Sequence, residues 1–114
     1  MNIKRGGIYL AALDPVMGHE IAKTRPVLVI SNDKNNMFSD TITILPITSK
    51  NVKKIYPFEV VLAKGKGNLP KKSKIKADQI RTLDKRRLIK TIGRLSEGDM
   101  LSVEKAVNIH LDLI

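Results

Sequence analysis

The sequence predicts a small, mainly β domain with one helix appended at its C-terminal end. Three observations support this fold class. Six short apolar segments rich in β-branched residues occur before Ser96, and residues that favour turns separate them. Clear helical periodicity occurs only after Ser96. Regularly spaced short strands of this kind are typical of a small barrel or a sandwich.

The predicted strands span residues 8–13, 27–30, 41–47, 58–62, 73–80 and 88–95. Pro46 has no N–H to donate, so the third strand is expected to end there, at a sheet edge or a bulge. Gly93 predicts a bend or a close approach of another backbone segment. Loops are expected at residues 14–24, 32–40, 50–56 and 64–72, with a single helical turn at residues 84–87.

The C-terminal helix is predicted by its first turn and by its apolar spacing. Ser96 and Asp99 have the spacing of a capping box, and Leu95 and Met100 flank it as a hydrophobic staple. An apolar stripe at spacings of three and four residues should pack on the sheet or on a partner. The stripe consists of Met100, Val103, Val107, Leu111 and Ile114.

One domain, residues 1–114, is expected to account for the whole chain. The sequence has no cysteine, which excludes disulfides, thiolate zinc sites, iron–sulfur clusters and thiol nucleophiles. Its longest apolar run, residues 8–13, is far too short to span a membrane, and no signal peptide precedes it. We therefore expect a cytoplasmic protein with no membrane association.

The strongly basic charge favours a polyanionic partner. Lys and Arg number 21 against 11 Asp and Glu, a formal net charge of +10. The basic residues form three clusters: Lys50, Lys53 and Lys54; Lys64, Lys66, Lys71, Lys72, Lys74 and Lys76; and Arg81, Lys85, Arg86, Arg87, Lys90 and Arg94. One such run is compatible with a merely solvated surface, whereas three favour nucleic acid. With so few aromatic residues, phosphate contacts should dominate over base stacking.

Two other chemistries lack the residues that they need. Gly65-Lys66-Gly67 is not followed by a predicted helix, so it indicates a hairpin turn rather than a phosphate-binding loop. The chain has two histidines, and His110 has no metal-binding partner one helical turn away. Acids are sparse, which disfavours a metal-dependent nuclease. We therefore expect neither a metal nor a cofactor.

Three motifs follow one another along the chain. Residues 25–33 read R-P-V-L-V-I-S-N-D, residues 45–48 read L-P-I-T, and residues 78–84 read D-Q-I-R-T-L-D. In this order and spacing, the chain from about residue 4 to the final helix resembles the MazF/PemK family of toxin ribonucleases. The first and third motifs are each specific, which makes coincidence improbable.

The resemblance implies a small SH3-like barrel of the CcdB–PemK type that assembles as a homodimer. It implies sequence-selective, metal-independent cleavage of single-stranded mRNA by 2′-OH attack, which leaves a 2′,3′-cyclic phosphate and a 5′-OH. The implied partners are single-stranded RNA and a cognate antitoxin with an acidic C-terminal segment. Two alternatives remain open: a toxin of the same fold that binds a protein such as DNA gyrase, and a non-catalytic, basic nucleic-acid-binding module.

The resemblance also assigns the catalytic residues. Arg25 matches the family's cleaving arginine and Thr48 its partner threonine, and Asp78 and His19 are the candidate bases. The permanently charged guanidinium of Arg25 suits a transition-state clamp better than a proton donor. Simpler interpretations stay open: an ordinary strand threonine for Thr48, an ion pair of Asp78 with Lys76, and an incidental loop histidine for His19.

Six further side chains are expected to contact RNA: Glu20, Lys50, Lys53, Lys76, Gln79 and Arg81. The chain departs from the family pattern at residues 18–23, which read G-H-E-I-A-K where relatives commonly have two adjacent glycines. A stiffer loop is therefore expected. Ile21 stands there in place of a polar side chain that would be able to contact RNA.

Overall fold

The fold is described from a computed structural model in which residues 1–113 are placed. It contains seven strands, two α-helices and three short 3-10 helices. The strands are β1 (Gly7–Ala12), β2 (Thr24–Val29), β3 (Thr41–Thr48), β4 (Glu59–Leu62), β5 (Ser73–Lys76), β6 (Arg81–Asp84) and β7 (Leu88–Arg94). The helices are α1 (Asp33–Phe38) and α2 (Glu97–Leu111), and the 3-10 helices are Lys66–Asn68, Ala77–Gln79 and Lys85–Arg87.

The strands form one antiparallel sheet in the order β4-β5-β3-β2-β1-β7, with β6 also paired to β3. The long strand β3 is central, because it pairs with β2, with β6 over residues 41–44 and with β5 over residues 47–48. The mainly β fold class with a C-terminal helix is confirmed. Within residues 1–113 the outermost strands β4 and β7 do not pair with each other, so the predicted barrel is not closed.

Two apolar clusters cover the sheet, and neighbouring residues of one strand belong to different clusters. Ile8 and Leu28 pack with α2, whereas Tyr9, Val27 and Val29 pack in the second cluster. Successive side chains of a strand point to opposite faces. Burial on both faces therefore explains why β1 and β2 have continuous apolar sequences instead of alternating ones.

The structure adds two elements that the sequence did not predict. Residues 33–38, placed in a loop by the sequence, form α1, where the side chain of Asn32 caps the first turn by accepting a hydrogen bond from the Asn35 N–H. The predicted strand 73–80 ends at Lys76, and the separate strand β6 follows the 3-10 helix. Both additions are short and largely polar, so hydrophobic periodicity does not identify them.

The predicted strand 41–47 is present as β3, which continues two residues past Pro46 to Thr48. Pro46 lies inside β3, opposite Val27 of β2. On the other side of β3, the pairing with β6 stops at Ile44 and the pairing with β5 starts at Ile47. Pro46 therefore occupies a gap between two partner strands, where a missing N–H breaks no ladder.

Helix α2 follows its sequence prediction closely. The Ser96 hydroxyl accepts a hydrogen bond from the Asp99 N–H at 3.1 Å. The inner face of the helix packs on the sheet through Met100, Val103 and Ala106, whereas Leu111 is 43% exposed. Ile114, the last residue of the predicted stripe, lies outside the described residues. Neither this helix nor any other in residues 1–113 is both long and apolar enough to cross a bilayer.

Candidate active site

Arg25 and Thr48 lie on the adjacent strands β2 and β3, each two residues beyond the last residues that pair between these strands. In the antiparallel register of β2 and β3, Val27 is opposite Pro46. Two further residues along each strand lead to Arg25 and Thr48, which are still inside β2 and β3. Since side chains two residues apart share a face, both side chains lie on the same face of the sheet as Val27 and Pro46.

Both side chains keep polar groups available for a ligand. Arg25 is half-buried, and its Nε donates to the Ala22 carbonyl at 3.3 Å, which orients the guanidinium and leaves its two terminal nitrogens. Thr48 is 9% exposed, and its Oγ1 accepts a hydrogen bond from the Lys50 N–H at 3.1 Å. The Thr48 hydroxyl can still donate its own proton. Together the two groups can donate to the oxygens of one phosphate.

A cleft of about 410 Å³ brings together five of the residues that the sequence singled out. They are His19, Glu20, Asp78, Gln79 and Arg81. Neither Arg25 nor Thr48 lines this cleft, but Pro46 does, and Pro46 lies two residues from Thr48 on the same strand. The cleft therefore holds both candidate bases, and β3 leads from it to Thr48.

Gln79 holds the loop between β1 and β2 against the 3-10 helix. Its side-chain oxygen accepts a hydrogen bond from the Ile21 N–H at 2.7 Å, and its Nε2 donates to the His19 carbonyl at 3.2 Å. These contacts join residues 58 and 60 positions apart in the chain. Gln79 thus builds one wall of the cleft, and its second amide N–H and the second lone pair of its side-chain oxygen remain available to RNA.

Glu20 and Ile21 have structural contacts in the same loop. A carboxylate oxygen of Glu20 accepts a hydrogen bond from the Met17 N–H at 2.7 Å, which closes the turn before β2. Ile21 packs against the second apolar cluster. His19 and Glu20 are exposed, so their side chains remain accessible from the cleft.

Asp78 adjoins a buried ionic network that the sequence did not reveal. Glu59, whose side chain is fully buried, accepts hydrogen bonds from the ammonium groups of Lys74 at 3.1 Å and Lys76 at 2.9 Å. The Lys76 ammonium also lies 3.9 Å from Oδ1 of Asp78. That Oδ1 is buried and accepts no hydrogen bond within residues 1–113. Asp78 therefore presents a carboxylate that is only loosely paired.

The pKa of Glu59 shows which forces dominate in this network. Burial alone would raise the pKa of this carboxyl group. The hydrogen bonds from the Tyr56 N–H, Lys76 and Lys74 outweigh burial, so the pKa of Glu59 lies below its ordinary value. Glu59 is therefore an anion that fixes both lysines. The sequence shows Glu59 and, further along, a lysine-rich segment. Only the pairing of β4 with β5 reveals that Glu59 lies opposite Lys76.

The other residues that were predicted to contact RNA do not all line this cleft. Lys50 and Lys53 are exposed in the loop between β3 and β4 and do not line the first cleft. Lys53 lines a second cleft, which it shares with Lys76. Arg81 is paired through β6 with Ile44 of β3 and faces the first cleft. Within residues 1–113, no three His, Asp or Glu side chains are placed to hold a metal ion.

Comparison with known proteins identifies the family of this chain. Residues 4–111 match the family of PemK-like, MazF-like toxins of type II toxin–antitoxin systems. The match covers nearly the whole chain and includes all of the site residues described above. The chain belongs to this family.

Two curated relatives and one solved structure illustrate the similarity. The chain is 44% identical over 111 residues to the endoribonuclease MazF of Staphylococcus epidermidis, covering 97% of this chain and 92% of that protein. It is 38% identical over 116 residues to the endoribonuclease MazF9 of Mycobacterium tuberculosis, covering 97% and 98%. A MazE–MazF crystal structure from Deinococcus radiodurans superposes with a TM-score of 0.79 at 27% identity, covering 100% and 99%.

Proposed function

We propose that the chain is a toxin endoribonuclease that cleaves single-stranded mRNA at a short sequence motif without a metal ion. The observation that carries this proposal is that Arg25 and Thr48 each lie two residues beyond the pair Val27 and Pro46, and that Pro46 lines the cleft that holds Asp78 and His19. A permanently charged guanidinium and a hydroxyl on one sheet face suit a phosphate group. Relatives with 38% and 44% identity are named endoribonucleases, which supports the same activity here.

In the proposed reaction, the RNA supplies its own nucleophile. The 2′-oxygen attacks the adjacent phosphorus, a base takes the 2′-OH proton, and the bond from phosphorus to the 5′-oxygen breaks. The products are a 2′,3′-cyclic phosphate and a 5′-OH, the latter formed when the leaving oxygen gains a proton. Arg25 and Thr48 donate hydrogen bonds to the phosphorane oxygens, where negative charge accumulates.

Asp78 is our first candidate for the base. Its side chain lines the cleft and is 29% exposed, so its carboxylate can accept the 2′-OH proton there. His19 lies in the same cleft and is the second candidate, since a ring nitrogen of a neutral imidazole can accept a proton. Asp78→Asn and His19→Gln separate the two, because only replacement of the true base should remove most of kcat.

The basic surface around the cleft would bind both the RNA backbone and a protein partner. Lys50, Lys53, Lys76 and Arg81 would contact the RNA backbone, with Glu20 and Gln79 at the wall of the cleft. The same positive surface suits a cognate antitoxin with an acidic segment, and a MazE–MazF complex is among the solved relatives. We place this single-domain toxin in the cytoplasm as a homodimer, whose groove holds the RNA.

The test is cleavage of a long RNA in EDTA by wild type, Arg25→Ala and the matched control Arg94→Ala, whose arginine is exposed on β7. We expect wild type and Arg94→Ala to cut and Arg25→Ala to lose activity by about 10²–10³-fold. RNA left intact by all three would favour a non-catalytic nucleic-acid-binding module or a toxin directed at a protein such as DNA gyrase. Equal cleavage by all three would refute the assignment of Arg25.

A growth experiment tests the same assignment in cells. Expression of the wild-type chain alone should arrest growth, and Arg25→Ala or Thr48→Ala should relieve the arrest. Co-expression of the cognate antitoxin should do the same for wild type. Arrest of equal strength by wild type and both variants would contradict the site.

A further inference from the structure

Two of the four aromatic residues form a stacked pair at the end of the β3–β4 loop. The rings of Tyr56 and Phe58 are nearly parallel, with 5.4 Å between centroids and 7° between planes. Tyr56 is 42% exposed, and the Lys54 ammonium lies 5.1 Å from its ring centroid. An exposed aromatic ring supported by a second ring is a surface on which a planar ligand can stack.

This pair borders the second cleft, which has a volume of about 550 Å³. Its lining includes Tyr56 and four lysines, Lys53, Lys54, Lys74 and Lys76, and we call it the aromatic–lysine cleft. Glu59 neutralises part of the charge of Lys74 and Lys76. Within residues 1–113, Lys53 and Lys54 have no carboxylate within 4.0 Å. The cleft therefore combines an aromatic ring with unpaired positive charge.

Two partly buried hydrogen bonds hold the backbone of the loop in place. The Lys74 ammonium donates to the Lys54 carbonyl at 3.1 Å, and the Tyr56 N–H donates to the Glu59 carboxylate at 3.0 Å. Both anchoring groups belong to the ionic network beneath the sheet edge. The position of Tyr56 is thus fixed before any ligand binds, which lowers the entropic cost of binding.

We propose that the aromatic–lysine cleft is a subsite for one nucleobase of single-stranded RNA, next to the cleavage site. The base stacks on Tyr56 in place of the Lys54 ammonium, which moves from the ring to a phosphate, and the Lys53 ammonium contacts the phosphate on the other side of the base. Lys76 connects this subsite to the reaction centre, since it lines the cleft and lies 3.9 Å from Asp78. The proposal rests on the ribonuclease function proposed above, and it adds a binding role for Tyr56.

A nucleobase suits this cleft better than an acidic protein segment does. An acidic segment would pair with the lysines and would have little need of a flat, exposed ring. Stacking depends on the π-face and not on hydrogen bonds, so the subsite should accept any base. It is therefore expected to add affinity more than sequence preference.

The first experiment measures RNA binding by Tyr56 variants. The probe is a short RNA with a 2′-deoxy nucleotide at the mapped cleavage position, which prevents cleavage, and the readout is fluorescence anisotropy. Tyr56→Leu should weaken binding about tenfold, whereas Tyr56→Phe should bind like wild type. The matched control is Phe38→Leu, because Phe38 is an aromatic residue of α1 that is 76% exposed and lies outside the cleft. The backbone contact of Tyr56 with Glu59 persists in every Tyr56 variant.

The second experiment locates the base. The fluorescent base 2-aminopurine, placed at successive positions along the same RNA, should be quenched at one position near the cleavage site. The quenching should persist with Tyr56→Phe and disappear with Tyr56→Leu. Unchanged affinity and an unchanged quenching pattern for Tyr56→Leu would overturn the subsite. If Tyr56→Leu weakens the binding of an acidic antitoxin peptide and leaves RNA binding intact, the cleft binds a protein segment and the nucleobase subsite is overturned.

The two proposals fail in different ways. If the wild-type protein cuts no RNA, the ribonuclease function fails and the subsite fails with it. If wild type cuts RNA and Tyr56→Leu binds and cuts as wild type does, only the subsite fails. Thermal melting of each variant identifies a loss of binding that is caused by unfolding.

Discussion

Arg25 and Thr48 lie on the adjacent strands β2 and β3, each two residues beyond the paired residues Val27 and Pro46. This position lets a guanidinium and a hydroxyl approach one phosphate from neighbouring strands. A sheet holds its alternate side chains more rigidly than a loop would, which favours stabilisation of a transition state over flexible binding.

Thr48→Val tests the hydroxyl with little change of volume. The variant should lose about 10²-fold in kcat because one donor to the developing phosphorane charge is removed, whereas Thr48→Ser should keep most of the activity. Single-turnover cleavage of a short RNA measures the chemical step directly. A wild-type rate for Thr48→Val would remove Thr48 from the catalytic site.

Glu59→Gln tests the buried ionic network. Removing the carboxylate that pairs with Lys74 should lower the free energy of unfolding by about 3 kcal/mol near neutral pH, because a buried ammonium group loses its charged partner. Urea unfolding of wild type and variant provides the measurement. An unchanged stability would show that Glu59 has no net role in the fold.

The difference in unfolding free energy between wild type and Glu59→Gln should depend on pH. The pKa of Glu59 is lowered in the folded protein from its ordinary value of 4.5, so the unfolded chain binds the proton more readily. The contribution of Glu59 to stability is thus fully present above about pH 4.5 and is lost as the pH falls through the folded pKa. The gap between wild type and Glu59→Gln should narrow on acidification, and a gap that widens would contradict the lowered pKa.

RNA affinity should depend strongly on salt. Binding to single strands changes with a slope of about −0.7 per neutralised phosphate in a plot of log K against log salt concentration. If Lys53 contacts one phosphate, Lys53→Ala should make the slope shallower by about 0.7. Lys105→Ala, on the exposed side of α2, is the control and should keep the wild-type slope. Equal slopes for all three proteins would exclude the contact.

Gly93→Ala tests a close backbone approach. A Cβ at residue 93 would overlap the carbonyl of Gly67, so the variant should lose about 1–3 kcal/mol of unfolding free energy. Gly98→Ala is the control, because a Cβ there would meet only the Ser96 hydroxyl at 3.9 Å and would favour the helix. Denaturant unfolding of both variants checks the contrast, and equal stabilities would contradict it.

Elements with strong local signals were predictable from the sequence. Runs of β-branched residues identified the longer strands, and the capping box with its apolar stripe identified α2. The close backbone approach expected at Gly93 is also present. In contrast, β6 has the sequence R-T-L-D, with only Leu83 fully buried, and pairing with β3 decides its conformation. Such non-local pairing leaves no periodic signal in a short segment.

The candidate site was predictable in its residues but not in its contacts. Motifs identified Arg25, Thr48 and Asp78 without placing them in space. The structure adds that Gln79 fastens the loop of His19 and that Glu59 binds Lys76. Each contact joins distant parts of the chain, so spacing along the sequence does not reveal it.

The most direct measurement of the central claim is the chemistry of the cleaved ends. A defined transcript is cut in EDTA, the fragments are analysed by mass spectrometry, and a second transcript carries one 2′-deoxy nucleotide at the cleaved position. We predict a 2′,3′-cyclic phosphate and a 5′-OH from the first transcript and no cut at the modified position of the second. A 5′-phosphate, or cleavage beside the 2′-deoxy nucleotide, would contradict attack by the 2′-OH and with it the proposed roles of Arg25 and Thr48.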